Sequence, residues 1–366
     1  MNATRAAVRI EGRGPVAMAL ALFLARQGFE AGSVSLDPVP TDLPPPLASR
    51  SLALSLGSWQ LLSRVALPAP AAPIARVEVS LRGHAGRTRI QAAELSAPAL
   101  GYVLRYGALH RALSAALGAL GARVPAAPPD TGDRSTDAPL TVIADGDPGD
   151  ASRARDFNQT ALLAEVIVER DGHGTAFERF TDEGPLALLP LPEARRYALV
   201  WCGRPDRSAQ RAALEPGAFA DELLDAFGSA LGSLRLAGER TLTPLERRVR
   251  ARLGDARQIA IGNAAQALHP VAGQGLNLGL RDAFELAQQL GELRAARRPL
   301  ADAAPRFARA RRADRSLAVA LTDTLAQAFT VPAIAGIESL ALDALDLAAP
   351  VRHRLAEALM FGLRAR

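Results

Sequence analysis

The chain contains no lysine. All 43 of its basic side chains are arginines, set against 38 acids over 366 residues, for a formal charge of +5 and a pI near 10.4. Such a balance invites a nucleic-acid partner. The arginines, however, are mixed with acids along the whole chain, and no basic run is interleaved with aromatics, so none is expected. With abundant alanine, the missing lysine reflects a GC-rich genome. Cysteine is nearly absent too: Cys202 stands alone, which excludes an internal disulfide and any multi-cysteine metal site. Five histidines are scattered without ligand spacing, and no metal is expected. Long apolar runs are also missing. "MNATRAAVRIEGRGP" has no secretory core, and "PVAMALALFLA" is too short to span a bilayer. The expected location is the cytoplasm, with room for peripheral contact at the inner membrane.

What is present is the composition of a globular protein, 49% apolar and 22% charged, long enough for one large or two intertwined domains. The start reads as strand, glycine turn, helix, strand. A strand over residues 6–11 leads into Gly12-Arg13-Gly14-Pro15-Val16-Ala17, a helix runs to about residue 27, and "SVSLD" ends at Asp37. This is the layout of a dinucleotide-binding unit. Gly12 and Gly14 turn the chain, Ala17 allows close helix–strand packing, the helix start receives a pyrophosphate, and Asp37 takes ribose hydroxyls. Arg9 and Glu11 sit awkwardly in this motif. A parallel strand is normally apolar, and Glu11 adds negative charge beside a phosphate site. A purely structural turn stays open.

Further along, a proline-rich loop (38–48) precedes a helix-like stretch over 49–67, and residues 75–95 read as a hairpin. Residues 101–121 are helical in their second half, and a polar connection spans 125–139. "LTVIADG" is a buried strand ending in a turn, and residues 160–202 alternate as β. Helices are expected around 216–232 and 242–252, then a short strand "RQIAIG", then helices interrupted at Pro332 and Pro350. No internal repeat is visible. The expected fold is α/β: a Rossmann-like nucleotide-binding domain interrupted by a β-sheet domain, with C-terminal helices.

Residues 262–283, "GNAAQALHPVAGQGLNLGLRDA", pose the sharpest question. Gly273, Gly275 and Gly279 each cost backbone entropy inside an apolar segment, so something is expected to approach this backbone closely. The segment resembles the second flavin-binding motif of the aromatic-ring flavin monooxygenases. Within them it is most similar to the FAD-dependent hydroxylases of ubiquinone biosynthesis, whose version has Gly-Asn where relatives have Gly-Asp. "RSLALSLGSWQLL", "VSLRGHAGRTRI", "PALGYVLRYGALHRAL", "FERFTDEGPLALLPLP", "ALVWC" and "RRADRSLAVALTDTLAQAF" also resemble that family, in order, over nearly the whole chain. The branch most resembled is the 2-polyprenyl-6-methoxyphenol 4-hydroxylases.

The resemblance implies FAD as cofactor and NAD(P)H as electron donor. It places Gly262, Asn263, Pro270, Gly273, Gln274, Gly275, Leu276 and Asn277 around the flavin, with a helix from about Leu276 aimed at it. Arg50 matches a flavin-side arginine, Asp145 an Asp-Gly motif, and Arg105 substitutes for a further arginine; bland readings are a solvated helix-start arginine for Arg50 and a structural turn for Asp145. The implied division is an FAD-binding domain over 1–72, 105–158 and 246–300, a substrate domain over 73–104 and 159–245, and a helical region over 301–366. Phe180 and Trp201 are candidate substrate walls, or core packing. His269 is a general base or a loop clasp, and Cys202 a buried small residue. The implied reaction hydroxylates a polyprenylated phenol: NAD(P)H reduces FAD, dioxygen adds at flavin C4a, and the hydroperoxide transfers one oxygen. No acidic or nucleophilic dyad is required, and the sequence offers none. Two alternatives remain at this point. One is a non-catalytic scaffold of a quinone-biosynthesis complex, suggested by Arg9, Glu11, Ala17 and the altered Asp-Gly motif. The other is a flavin reductase or dehydrogenase on the same fold.

Overall fold

The computed structural model describes residues 7–30, 32–121, 139–149, 152–255, 257–269, 273–327 and 335–362. Pro270, Pro332 and all but the last residue of the 125–139 connection lie outside the described residues. The first half of the chain forms β1 (Val8–Glu11), α1 (Pro15–Arg26), β2 (Val34–Leu36), α2 (Pro45–Ser49), β3 (Ser51–Ser55), α3 (Leu56–Ser63), β4 (Ala71–Ile74), β5 (Arg76–Leu81), β6 (Arg87–Gln91), β7 (Gly101–Arg105), α4 (Tyr106–Leu120) and β8 (Leu140–Ile143). The rest forms β9 (Ser152–Val168), β10 (Thr175–Thr181), β11 (Gly184–Pro190), β12 (Arg196–Gly203), α5 (Pro205–Ala213), α6 (Pro216–Phe227), β13 (Leu234–Leu236), β14 (Thr241–Arg250), β15 (Gln258–Ala260), β16 (Gln266–Ala267), α7 (Gln274–Ala295), α8 (Ala303–Gln327), α9 (Ala335–Leu347) and α10 (Ala349–Phe361).

A four-stranded parallel sheet in the order β15-β8-β1-β2 forms the nucleotide-binding module. Helix α1 reads "PVAMALALFLAR" and is buried from Ala17 to Leu24. A helix apolar all round must be enclosed, and α1 is, by the sheet, α4 and α7. A nine-stranded sheet in the order β16-β14-β9-β12-β11-β10-β5-β6, with β13 also on β9, forms the second module. Its alternating side chains divide it into two faces. Leu162, Leu186, Leu188, Leu199 and Trp201 pack under α5 and α6 with Phe219 and Leu223. The opposite face meets the nucleotide-binding module and the C-terminal helices, where Ala176 and Ala198 join Leu56, Val103 and Met360 in one cluster. A small sheet, β3-β7-β4, joins the modules.

Three expectations are corrected. Residues 49–67 are not one helix: Ser51–Ser55 pairs with β7, and Ser55 then caps α3 through its hydroxyl. Residues 242–252 are not helical; Thr241–Arg250 pairs with β9 along its whole length. Its Glu and Arg residues favour a helix locally, and the ladder overrides that preference. Helix α7 begins at Gln274, before Leu276. The expected domain cuts at 158/159 and 245/246 fall inside β9 and β14, at the irregularity where the ladder register shifts between Leu245 and Glu246.

Candidate active site

The first glycine turn is built backbone to backbone. Gly12 has φ +129°, and a Cβ there would lie 2.5 Å from the Ala144 carbonyl oxygen and 2.8 Å from the Asp145 nitrogen. Gly14 differs, since the nearest atom to an added Cβ is Tyr106 Oη at 4.0 Å. Its contribution is open space at the start of α1. Pro15 is the first helical residue and no side chain caps this end, so helix N–H groups and the positive end of the dipole face the opening. Asp37 Oδ2 accepts the Gly12 N–H at 2.8 Å. Arg9 and Glu11 pair with each other at 3.3 Å, which neutralises the acid beside the turn.

A cavity of about 470 Å³ opens next to Asp37, lined also by Leu36, Pro38, His110, Arg111 and Ser114. His110 is 3% exposed, and among the described residues its Nε2 has no hydrogen-bond partner. Burial, helped by the Arg111 charge, lowers its pKa, which favours the neutral imidazole. A buried nitrogen left open beside a carboxylate suits a ligand with its own donors and acceptors, such as an adenosine.

The second motif resolves into glycines of two kinds. A Cβ on Gly279 would lie 2.8 Å from Val16 Cγ2 and 3.0 Å from Gly262 Cα, so what approaches this glycine is the protein itself, α1 seating on α7. Gly273 has φ +59° and begins α7 with no side-chain cap. At Gly275, among the described residues, an added Cβ would meet only Asn263 Oδ1, at 3.6 Å. Asn263 is exposed, and it shares this opening with the uncapped start of α7. Leu276 is half-buried against the core.

Other expected flavin contacts are occupied within the protein. Asn277 Oδ1 accepts the Ser55 N–H at 2.8 Å, and its Nδ2 donates to the carbonyls of Ala53 and Gly273. The side chain therefore clamps α7 to β3. Gln274 is buried and accepts from Arg281. Arg105 donates to both oxygens of Glu165 and to the Ser49 carbonyl. Burial raises the Glu165 pKa, but Arg105 and Arg196 lower it net. Arg50 is exposed at the end of α2, close enough to Tyr106 that its charge opposes the rise burial gives that phenol. The Asp145 side chain is exposed and accepts the Asp147 N–H at 3.4 Å, while its backbone touches Gly12.

Trp201 does not wall the site. It is 1% exposed on the face covered by α5 and α6, near Phe219, with the Arg211 guanidinium 4.1 Å above its ring. Strand period places it opposite Val200 and Cys202, which face the other module. Phe180 is on the facing side but is sealed among Leu81 and Leu342. His269 is 1% exposed, 3.1 Å from Gln159 Oε1, and edge-on to Phe157; burial pushes its pKa down to about 4. It clasps the loop to β9. Cys202 is buried, and burial pushes its thiol pKa up, which makes it inert.

Asp282 escaped the sequence reading because a lone acid in a helix looks like a solvated face. Its Oδ2 accepts from the Gly262 N–H and from Gln266 Nε2, both at 3.1 Å, and its Oδ1 from Arg311 at 2.6 Å. It holds the turn that carries Asn263.

Taken together, two uncapped helix starts, an open glycine at each and a cavity beside Asp37 fit an extended dinucleotide, with the pyrophosphate at α1 and the ring at α7. A family model for an FAD binding domain matches residues 137–315. The chain is 32% identical over 335 residues to ubiquinone hydroxylase UbiL of Rhodospirillum rubrum, covering 84% of this chain and 76% of that one. It is 30% identical to 3-demethoxyubiquinol 3-hydroxylase of Escherichia coli, covering 77% and 79%. The fold superposes on p-nitrophenol 4-monooxygenase PnpA of Pseudomonas putida with a TM-score of 0.71 at 16% identity, over 99% of each chain. With the site's geometry, these relationships establish that the chain belongs to the FAD-dependent hydroxylases of ubiquinone biosynthesis, a branch of the aromatic-ring flavin monooxygenases.

Proposed function

We propose that this protein hydroxylates the aromatic ring of a polyprenylated phenol, a quinone precursor, using FAD, dioxygen and NAD(P)H. The observation that carries the reading is the pairing of two open glycines, Gly14 and Gly275, with two uncapped helix starts. Bound FAD supplies the oxygen-transfer chemistry. The chain would hold it through the Gly12–Gly14 turn and the start of α1 at the pyrophosphate, Asp37 at the ribose, and Asn263 with Gly275 at the ring. The start of α7 stabilises negative charge at its end of the ring, and the sheet face opposite keeps water away. No helix among the described residues is long and apolar enough to cross a membrane. Leu340, Leu347 and Val351 are exposed on α9 and α10 and would serve a peripheral contact through which an apolar substrate arrives.

The scaffold alternative loses its main support, because Arg9 neutralises Glu11 and the Asp145 backbone still closes on Gly12. The test is a visible spectrum followed by an assay. Purified protein with added FAD is expected to show oxidised-flavin bands at about one flavin per chain. It should then convert prenylated phenols to hydroxylated products only when dioxygen and NAD(P)H are present. Protein that ignores FAD would restore the scaffold reading, and product formed without dioxygen would favour a reductase or dehydrogenase.

A further inference from the structure

Across the large sheet, the ladder registers align one row of side chains: Leu163 opposite Val200, Val200 opposite Ala187, Ala187 opposite Glu178, and Glu178 opposite Val79. All five point to the face that meets the nucleotide-binding module. The row on one side is sealed, with Ala161, Cys202, Phe180 and Leu81 at 3% exposed or less, while on the other Ala198 and Ala176 at 4% alternate with half-buried Glu165, Leu189 and Val77. In the row itself Leu163, Val200, Glu178 and Val79 are half-buried in the middle of the sheet, around a small buried Ala187. The result is an apolar furrow about 19 Å long, four strand spacings.

The β9 end of this furrow is bracketed. Gln159, Ala161, Leu163 and Glu165 share one face of β9 by strand period. Gln159 meets His269 of the second motif, and Glu165 meets Arg105 of β7. Leu163 therefore lies between two struts that tie the sheet to the cofactor module. The furrow lies on the sheet face that meets the nucleotide-binding module and the C-terminal helices.

Glu178 is the one charged side chain in the row. Arg179, its neighbour in the strand, points to the other face and donates to Ala226 and Ser80. We infer that Glu178 is a substrate-positioning residue whose carboxylate accepts a hydrogen bond from the phenol hydroxyl, while Leu163, Ala187, Val200 and Val79 receive the apolar tail. A carboxylate in apolar surroundings costs free energy unless something pairs with it, and a phenol O–H is such a partner. Burial alone pushes the Glu178 pKa up to about 7, the behaviour of a carboxyl with no cation at hand. Drawing the hydroxyl proton toward this carboxylate also raises electron density at the ring positions ortho and para to it, where an electrophilic oxygen attacks.

This inference rests on the proposed function, and its test separates the two. FAD-reconstituted protein is titrated with a farnesylated phenol and with the methyl ether of the same phenol, following the flavin absorbance. Wild type is expected to prefer the phenol by about tenfold, the value of one good charge-assisted hydrogen bond. In Glu178→Leu that preference should fall to within about twofold, with ether affinity and FAD content unchanged and thermal stability raised, because an unpaired carboxyl has left an apolar setting. Glu178→Gln should lie between. A Leu variant that keeps the preference overturns the inference, as does wild type without one, or a variant that loses both ligands together. Oxygen-dependent hydroxylation by wild type is scored separately, so the proposed function stands or falls on its own result.

Discussion

Asp282 in α7 accepts a hydrogen bond from the backbone N–H of Gly262, twenty residues earlier, while its other oxygen is held by Arg311. A side chain in the helix thus fixes the turn at the end of β15, and with it the position of Asn263. Arg311 and Asp282 are both about 95% buried, and Arg311 also pairs with Asp314 at 2.8 Å. Removing one member of a buried, hydrogen-bonded ion cluster strands the others. Asp282→Ala is expected to destabilise the protein by about 3–5 kcal/mol and to release FAD. Urea denaturation and flavin retention on a desalting column check both. An Asp282→Ala protein of wild-type stability would show that the cluster is redundant.

The two glycines of the first motif should respond differently to the same substitution. Gly12→Ala meets the Ala144 carbonyl and an unfavourable φ together, at a cost on the order of 3 kcal/mol, and the turn should lose FAD as it shifts. Gly14→Ala meets nothing closer than Tyr106 Oη, so the melting temperature should hardly move while FAD affinity falls at least tenfold. Equal effects on stability at the two positions would contradict this division.

His269 and Glu178 should give stability opposite dependences on pH. The folded His269 has its pKa pushed from 6.5 down to about 4. Between those values the unfolded chain takes up a proton that the fold refuses, so stability is full above 6.5 and declines as pH falls. Glu178 is pushed from 4.5 up to about 7. There the fold keeps a proton that the unfolded chain releases, so stability is full below 4.5 and declines as pH rises through 7. Each slope reaches at most about 1.4 kcal/mol per pH unit, and between pH 4.5 and 6.5 they oppose. Relative to wild type, Glu178→Gln should gain up to about 2 kcal/mol in unfolding free energy from pH 5 to 6.5, and His269→Gln should lose a similar amount. Denaturation curves at the two pH values decide it, and parallel behaviour of all three proteins would remove both groups from the account.

Trp201→Phe is a test of the corrected substrate wall. Because Trp201 packs near Phe219 and under Arg211 on the face away from the cofactor module, the change should cost about 1–2 kcal/mol in stability. The KM for a prenylated phenol should stay within about twofold, a shift too small to count as a lost contact. A selective rise in KM would return Trp201 to the site.

The sequence by itself determined the local grammar of this protein. The strand, glycine turn and helix around Gly12 and Gly14 were legible because they form one continuous local pattern, and the Gly-Asn motif because other segments that resemble the same family follow in order along the chain. The buried face of α1 was legible because an apolar helix has to be enclosed. Partnership was not legible. Gly273, Gly275 and Gly279 look alike in a string, yet Gly279 accommodates Val16 while Gly275 opens onto Asn263. Asn277 reads as a polar cofactor contact until β3 arrives to occupy its amide. Glu246, Arg247 and Arg248 favour a helix locally, and the ladder to β9 makes residues 241–250 a strand. Trp201 and Glu178 lie on opposite faces because strand period, counted across three paired strands, puts one beneath α5 and α6 and the other on the face toward the cofactor module. Each of these outcomes depends on groups far apart in sequence meeting in space, and a local pattern contains no information about which group will arrive first.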